Sequence, residues 1–116
     1  MIYQIVGIVY INSHIVYGMT KKGVPLYTFK PSDDKYPTFL VPTSLKKSLV
    51  CNKQPITNQY VIVVYDSEQK LLNKYPRANI IQVLGPVGES RAEYLNIIYR
   101  WDLYRKNYKI VYTVSY

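Results

Sequence analysis

The sequence predicts a mainly β domain, in which a five-stranded barrel precedes an α-helix over about residues 90–105 and a terminal strand. β-Branched apolar runs alternate with loops rich in Pro and Gly as far as residue 86. The hydrophobic period then changes to that of a helix. The length of 116 residues, 48% of them apolar and 19% charged, suits one folded domain over 1–116. We expect the barrel over 1–86 and the helix and strand over 88–116.

The first two strands are predicted near the N-terminus. Residues 2–11 form an apolar run rich in β-branched residues. Gly7 within this run is typical of the bends that let a barrel curl. Residues 12–14 make a short polar turn, and residues 15–20 return as a second strand. Together these segments predict a hairpin.

The middle of the chain has the weakest pattern. Residues 21–37 are expected to form a long loop because four Gly and Pro residues interrupt them. Residues 38–41 predict a short third strand that ends at Pro42. Residues 44–55 are polar and basic without a clear period, so we interpret them as a loop with room for one helical turn.

The last two barrel strands have clearer signals. Residues 60–66 form the strongest strand pattern in the chain, and residues 67–77 predict a loop. Residues 78–84 predict a fifth strand that Gly85 and Pro86 close. Five strands within about 80 residues, joined by loops and followed by a helix, are the outline of a small barrel of the OB type.

The predicted helix begins with the pattern of a capping box. In this pattern Ser90 and Glu93 would each satisfy the backbone N–H of the other. An apolar face follows at helical spacing and is expected to pack against the barrel. Its members are Tyr94, Ile97, Ile98, Trp101 and Tyr104.

The C-terminal segment predicts a strand with a tyrosine-rich ridge. Apolar and aromatic residues alternate over Tyr108–Tyr116, and a strand at the edge of a sheet can pair with another copy or another protein. The runs 2–11 and 60–65 are apolar on both faces, so their outer faces need a cover. The helix, the last strand or a partner protein could provide it.

Charge and aromatic content favour a nucleic-acid partner. Fourteen tyrosines accompany fifteen Lys and Arg residues, against seven Asp and Glu, for a net charge of +8. Residues 21–53 carry seven lysines against Asp33 and Asp34, a local net charge of +5. Cations that meet phosphates and rings that stack on bases suit a single strand. The alternative is an AT-rich genome, which fills proteins with Tyr, Ile, Asn and Lys whatever their function.

The candidates for catalysis or metal binding are few. Asp33 and Asp34 lack further clustered carboxylates, and a turn is the simpler interpretation. His14, in a predicted turn, has no recognisable nucleophile or orienting group. Cys51 is the only cysteine, which excludes an intramolecular disulfide and a cysteine-based zinc site. We therefore expect no catalytic residues, no metal site and no cofactor.

The cellular setting is also an expectation. The chain has no run of about 18 apolar residues, and its first residues lack the basic region of a secretory signal. With a single cysteine, this favours a soluble intracellular protein of the cytoplasm, without a membrane partner. The residue usage would also suit a large DNA virus, in which case the host cytoplasm or the virion is expected.

Several motifs occur in one order along the chain and together carry a family resemblance. They are Val6–Val9, Tyr17–Met19, Phe29–Val41, Tyr60–Asp66, Tyr75–Pro76, Leu84–Glu89 and Glu93. Over roughly residues 5–100 the chain resembles a cold-shock-type barrel of the RNase II/Dis3 family of 3′-to-5′ exoribonucleases. The similarity is to the second such barrel, which lies just before the catalytic domain.

The resemblance implies a binding role without catalysis. In that family this barrel helps guide single-stranded RNA toward the catalytic channel. Hydrolysis there resembles two-metal chemistry, with clustered aspartates that hold magnesium in the catalytic domain. The sequence lacks such a cluster. We expect a stand-alone relative or an accessory part of a nuclease, not an enzyme in its own right.

The predicted function is therefore binding of single-stranded nucleic acid, RNA before DNA, through loop cations and rings. The predicted binding residues are Tyr10, His14, Tyr17, Lys21, Lys22, Lys30, Lys35, Tyr36, Lys74, Tyr75 and Arg77. Lys46, Lys47 and Tyr27 are further candidates for the same surface. The alternative is a structural or interaction protein, viral in origin, that self-associates through its apolar strand faces and Tyr108–Tyr116.

Overall fold

The computed structural model of the chain describes residues 2–13, 15–66 and 75–114. These residues form five antiparallel strands and two helices, which confirms the mainly β class with a C-terminal helix. The elements in chain order are β1 (Ile2–Val9), β2 (Leu26–Pro31), β3 (Phe39–Pro42), α1 (Leu45–Cys51), β4 (Gln59–Asp66), β5 (Asn79–Pro86) and α2 (Ser90–Val114).

The strands form one sheet in the order β3-β2-β1-β4-β5, which curls into a half-barrel. β1 pairs with β4 along its full length, from Ile2 opposite Asp66 to Val9 opposite Gln59. The two ends of the sheet approach each other where Leu40 of β3 forms a parallel bridge with the segment that precedes β5. There the Leu40 N–H donates to Pro76 O at 2.9 Å. This bridge forms the seam of the half-barrel.

The core lies inside this curl. Phe29 and Phe39 are fully buried with their ring centroids 6.2 Å apart, and Val61 and Val63 of β4 are also fully buried. The alternation of β4 sends Ile62 to the outer face, where it packs with Leu103 of α2. α2 thus provides the cover that the doubly apolar strands require.

The second predicted strand is wrong. Residues 15–20 form only an isolated bridge between Met19 and Pro25, whereas β2 lies at 26–31 inside the predicted loop. Ile15, for example, is 58% exposed, so its apolar character does not report a core position. Pro25 directly precedes β2 and Pro31 is its last residue, and because a proline is tolerated at a strand end, neither of them marks a loop here.

The predicted loop over 44–55 contains α1, which is longer than a single turn. Leu45 and Leu49, four residues apart, lie on one side of this helix and pack against the core. That spacing is helical, but seven residues are too short for a clear period.

The predicted terminal strand is also wrong, because α2 continues to Val114. No Gly or Pro interrupts the sequence between 90 and 114, so each further residue extends the helix at little cost once it has begun. The alternation of β-branched residues over 108–114 gave too much weight to strand propensity, which depends on packing partners. Residues 115–116 of the predicted strand lie outside the described residues. None of the helices in the described ranges is both long and apolar enough to span a bilayer.

Four residues of the apolar face predicted to pack on the barrel, Tyr94, Ile97, Ile98 and Trp101, are exposed instead, and the side chain of the fifth, Tyr104, lies outside the described ones. Over residues 90–103 of α2, whose side chains the structure describes, Ala92 and Leu103 are buried, and Tyr99 packs beside Leu103. A Cβ at Gly85 would lie 3.1 Å from Ala92 Cβ, so two small residues set the close approach of helix and sheet. The face of α2 that is buried is therefore the one whose small residue lets the helix backbone approach β5, not the one with the largest apolar side chains.

A carboxylate holds the first turn of α2 on the sheet. The Tyr60 hydroxyl of β4 donates to Glu93 Oε2 at 2.6 Å, and the Gly88 N–H donates to Glu93 Oε1 at 2.9 Å. Glu93 therefore reaches back past the helix start as the capping pattern predicts, but its backbone partner is Gly88 and not Ser90. Burial and the Glu93 hydrogen bond raise the pKa of Tyr60 to about 12. The Tyr60 and Gly88 hydrogen bonds lower the pKa of Glu93.

Replacement of Gly7 tests the close approach of the paired strands β1 and β2. A Cβ at Gly7 would lie 2.7 Å from Pro31 Cα and 2.8 Å from Phe29 Cζ, closer than side chains pack. We expect Gly7→Ala to lower the free energy of unfolding by about 1–3 kcal/mol, through overpacking. Urea unfolding followed by circular dichroism measures this change. A Gly7→Ala variant as stable as the wild type would contradict this close approach.

The Tyr60 hydroxyl should make stability fall in alkali. A raised pKa in the folded state contributes stability that is complete below pH 10 and is lost as the pH rises through about 12. We expect the wild type to lose more unfolding free energy over this interval than Tyr60→Phe, in which the other tyrosines titrate as before. If the unfolding free energies of the two proteins, measured by urea titration, fall in parallel with pH, the hydroxyl has no such role.

Glu93 should act at the opposite end of the pH scale. Its lowered pKa contributes stability that is present above the pKa of an unfolded glutamate and is lost as the pH falls through the folded value. Glu93→Gln should therefore be less stable than the wild type at pH 7, and the difference should shrink on acidification. Urea titrations at several pH values measure the difference. A constant difference would contradict the role of the charge.

Candidate nucleic-acid interface

Two of the predicted aromatic residues meet across the seam. The rings of Tyr17 and Tyr75 lie 6.3 Å apart, centroid to centroid, and edge to face at 85°. The Tyr17 N–H donates to Leu26 O at 3.0 Å, which fixes this residue to the start of β2. Tyr75 precedes Pro76, whose carbonyl binds Leu40 at the seam. We call Tyr17 and Tyr75 the tyrosine pair. Tyr17 is 45% exposed, enough for a base to reach its ring.

Three lysines surround a cleft of about 420 Å³, within the size range of ligand sites. They are Lys22 of the loop before β2 and Lys46 and Lys47 of α1. We call this the lysine cleft. Its remaining lining residues are Gly23, Val24, Pro25, Tyr27, Thr43 and Ser44.

Hydrogen bonds bring the two sides of the lysine cleft together. Lys46 Nζ donates to Ser13 O at 3.3 Å, and the Thr43 N–H donates to Pro25 O at 3.1 Å. A tight turn holds Lys22 in place, since the Gly23 N–H donates to Thr20 O at 2.9 Å. None of the described residues that line the cleft is acidic. The cleft therefore concentrates positive charge beside two hydroxyl groups.

The tyrosine pair and the lysine cleft are neighbours because both are built on the start of β2. Tyr17 and Gly18 hydrogen-bond to Leu26, while Pro25 and Tyr27 line the cleft. Lys21 is exposed in the turn between the two features. The start of β2 thus anchors both a partly exposed aromatic ring and the lining of a cleft with three ammonium groups.

Other predicted residues lie toward the far end of β2. Lys30 is exposed four residues beyond Leu26, which is about 13 Å along the strand. Lys35 Nζ lies 5.8 Å from the ring centroid of Tyr36. The Tyr36 ring is half-buried, 6.4 Å from that of Tyr3. The predicted site residues therefore form two groups instead of one groove.

The remaining predicted residues have mixed placements. Tyr10 is half-buried, and its N–H donates to Thr28 O. Tyr27 belongs to the buried core, so its ring cannot serve as the stacking platform that the sequence suggested. Arg77 is exposed beside the seam. His14 and Lys74 lie outside the described residues.

Sequence reasoning missed Thr43 and Ser44 as part of the site. Their hydroxyl groups line the lysine cleft, and Thr43 Oγ1 accepts the Leu45 N–H at 3.1 Å. A Thr-Ser pair before a basic segment is a pattern for the start of a helix. Applied here, that signal would have predicted α1 and placed Lys46 and Lys47 on it.

The residues considered for catalysis or metal binding do not form a site in the described part of the chain. Asp33 Oδ1 accepts the Lys35 N–H at 3.1 Å, which is the turn expected from the sequence. Cys51 is exposed at the end of α1. Across 2–13, 15–66 and 75–114, no three His, Cys, Asp or Glu side chains lie together as a metal site would require.

Comparison with known families bears on this interface. The family model of the Dis3-like cold-shock domain 2 (CSD2) matches residues 26–102, from the first residue of β2 into α2. No curated protein matches the chain. The match confirms the resemblance predicted from the motifs. Tyr75, Lys46 and Lys47 lie within the matched region, whereas Tyr17 and Lys22 precede it.

Proposed function

We propose that this chain, which belongs to the Dis3-like cold-shock domain 2 family, binds single-stranded nucleic acid, RNA in preference to DNA. The observation that carries the proposal is that the partly exposed Tyr17, paired with Tyr75, is hydrogen-bonded to Leu26, whose chain neighbours Pro25 and Tyr27 line the lysine cleft. A base stacks on the ring, and the neighbouring phosphates lie against the ammonium groups. Such contacts accept any sequence, because every base has a flat face and every nucleotide a phosphate.

The net charge supports the same function. A surplus of eight positive charges attracts a polyanion over long range, and the lysine cleft focuses part of that surplus. The cleft holds three ammonium groups, so a strand that crosses it meets up to three phosphates. Counterion release then makes the affinity fall with salt.

The proposed role is binding without cleavage. The matched region is a cold-shock domain, and the resemblance to the RNase II/Dis3 family implies that hydrolysis belongs to the aspartates of a separate catalytic domain. We therefore expect no degradation of a labelled RNA strand by this chain with Mg²⁺. The chain would hold RNA for a catalytic partner or act by itself.

The alternative of self-association through strand faces and Tyr108–Tyr116 has less support. α2 covers the outer side chains of β1 and β4 at Val6 and Ile62. Residues 108–114 are helical and do not offer a strand edge.

The first test changes the ring. Tyr17→Ala should weaken binding of a fluorescently labelled oligo(U) RNA of about 12 nucleotides by about 5- to 150-fold, the effect of losing one stacked base. Tyr17→Phe keeps the ring and should bind like the wild type. Fluorescence anisotropy at low salt measures both. Absence of binding by the wild type would end the proposal, and equal affinity of all three proteins would remove Tyr17 from the site.

The second test changes the charge. Lys22→Ala/Lys47→Ala should weaken binding and reduce the slope of log affinity against log salt by about 1.4, at about 0.7 per phosphate contact. Lys30→Ala/Lys35→Ala removes the same charge at the far end of β2 and is the matched control. Equal losses in the two double variants would mean that net charge, not the lysine cleft, governs binding. Competition between RNA and DNA strands of one sequence tests the preference for RNA.

A further inference from the structure

α2 carries an exposed apolar stripe on the side turned away from the sheet. It consists of Tyr94, Ile97, Ile98 and Trp101, which are 64%, 66%, 46% and 64% exposed. The buried side of the same helix is already packed through Ala92 and Leu103. Soluble monomers rarely expose contiguous apolar surface of this kind unless it binds something.

The order of residues along the stripe is symmetric. An aromatic residue stands at each end, with two isoleucines between them, so the centre lies between Ile97 and Ile98. The spacings i, i+3, i+4 and i+7 place all four residues on one line of the helix. In an antiparallel pair with a two-fold axis at that centre, Tyr94 meets the second copy's Trp101, and Ile97 meets the second copy's Ile98. A two-fold interface needs a self-complementary surface of this kind.

A cleft beside the stripe has room for the second copy's ring. It measures about 390 Å³ and is lined by Ile97, Trp101, Asp33 and Arg100. The antiparallel pairing brings the second copy's Tyr94 next to Trp101 and therefore to this cleft. The apolar walls suit the ring, and the two charged groups can hydrogen-bond its hydroxyl.

The area of the stripe suits a dimer of modest affinity. An aromatic side chain buries roughly 150–250 Å² at an interface. If the whole exposed part of the two aromatic and two isoleucine side chains is buried, each copy buries about 500 Å². That amounts to about 1,000 Å² for the pair, near the lower limit for specific interfaces.

From these observations we propose that two copies of the chain associate antiparallel through the α2 stripe, with Tyr94 of each copy seated in the cleft beside Trp101 of the other. This dimer lies on a different part of the molecule from the tyrosine pair and the lysine cleft. It does not depend on the proposed nucleic-acid binding.

The only tryptophan of the chain reports the association directly. Sedimentation equilibrium between about 10 and 500 µM, a range suited to a small interface, should show a monomer–dimer equilibrium. The emission of Trp101 should shift to shorter wavelength as the dimer forms. Ile97→Lys should remain a monomer with exposed emission, while Ile15→Lys makes the same change at an exposed site outside the stripe and should dimerise. A monomeric wild type at every concentration, or a dimer that survives Ile97→Lys, would overturn the proposal.

Cross-linking tests the antiparallel pairing and does not depend on the stability of the lysine variant. In a Cys51→Ser background, Ile97→Cys should form an intermolecular disulfide on oxidation, because the two copies of position 97 lie about 1.5 Å apart along the helix axes and both Tyr94 and Trp101 are kept. Tyr94→Cys should not, because the two copies of position 94 lie about 10 Å apart along the helix axes at 1.5 Å per residue. A dimer that links through Tyr94→Cys would overturn the antiparallel pairing. A wild type that dimerises only with another protein added would overturn the choice of a second copy.

Discussion

The close approach of the paired strands β1 and β2 at Gly7 is the constraint on which the rest of the structure depends. β1 lies in the centre of the sheet and pairs with both β2 and β4, so its close approach to β2 at Gly7 positions the strands on either side of it. The absence of a side chain at Gly7 lets the backbone of Pro31 approach. The curl brings the two ends of the sheet to the seam at Leu40 and encloses Phe29 and Phe39. It is also what carries Tyr75, from a distant part of the chain, to the ring of Tyr17.

α2 is the second determinant, and it acts from the outside. The hydrogen bonds of Glu93 to Tyr60 and Gly88 fix the first turn against β4, and the contact of Ala92 with Gly85 fixes the rotation of the helix. Once the rotation is set, Leu103 must face the sheet and the larger apolar residues must face outward. The exposed stripe is thus a consequence of close backbone packing at the start of the helix.

Four of the five strands and the start of α2 could be predicted from the sequence, because each has a strong local pattern. β2 could not, since its six residues, which follow Pro25 and end with Pro31, carry little periodicity and the neighbouring segment 15–20 is more apolar. The end of α2 was mistaken for a strand because β-branched residues satisfy a strand pattern locally, whereas the continuing helix opposes it. Tyr17, Tyr75 and Lys22 were each recognisable as candidates. Their grouping, and the separation of Lys30 and Lys35 from them, depends on the seam and on contacts between residues far apart in sequence.

The lysine cleft lowers the stability of the folded protein itself. Its three ammonium groups lie around a cleft with no acidic residue among the described lining, so they repel one another across the gap between the loop before β2 and α1. Dissolved ions weaken that repulsion as they weaken attraction to phosphates. Ionic strength therefore has opposite expected effects: it stabilises the fold without a ligand, and it weakens the proposed binding of a polyanion, whose phosphates would neutralise the same ammonium groups as the counterions.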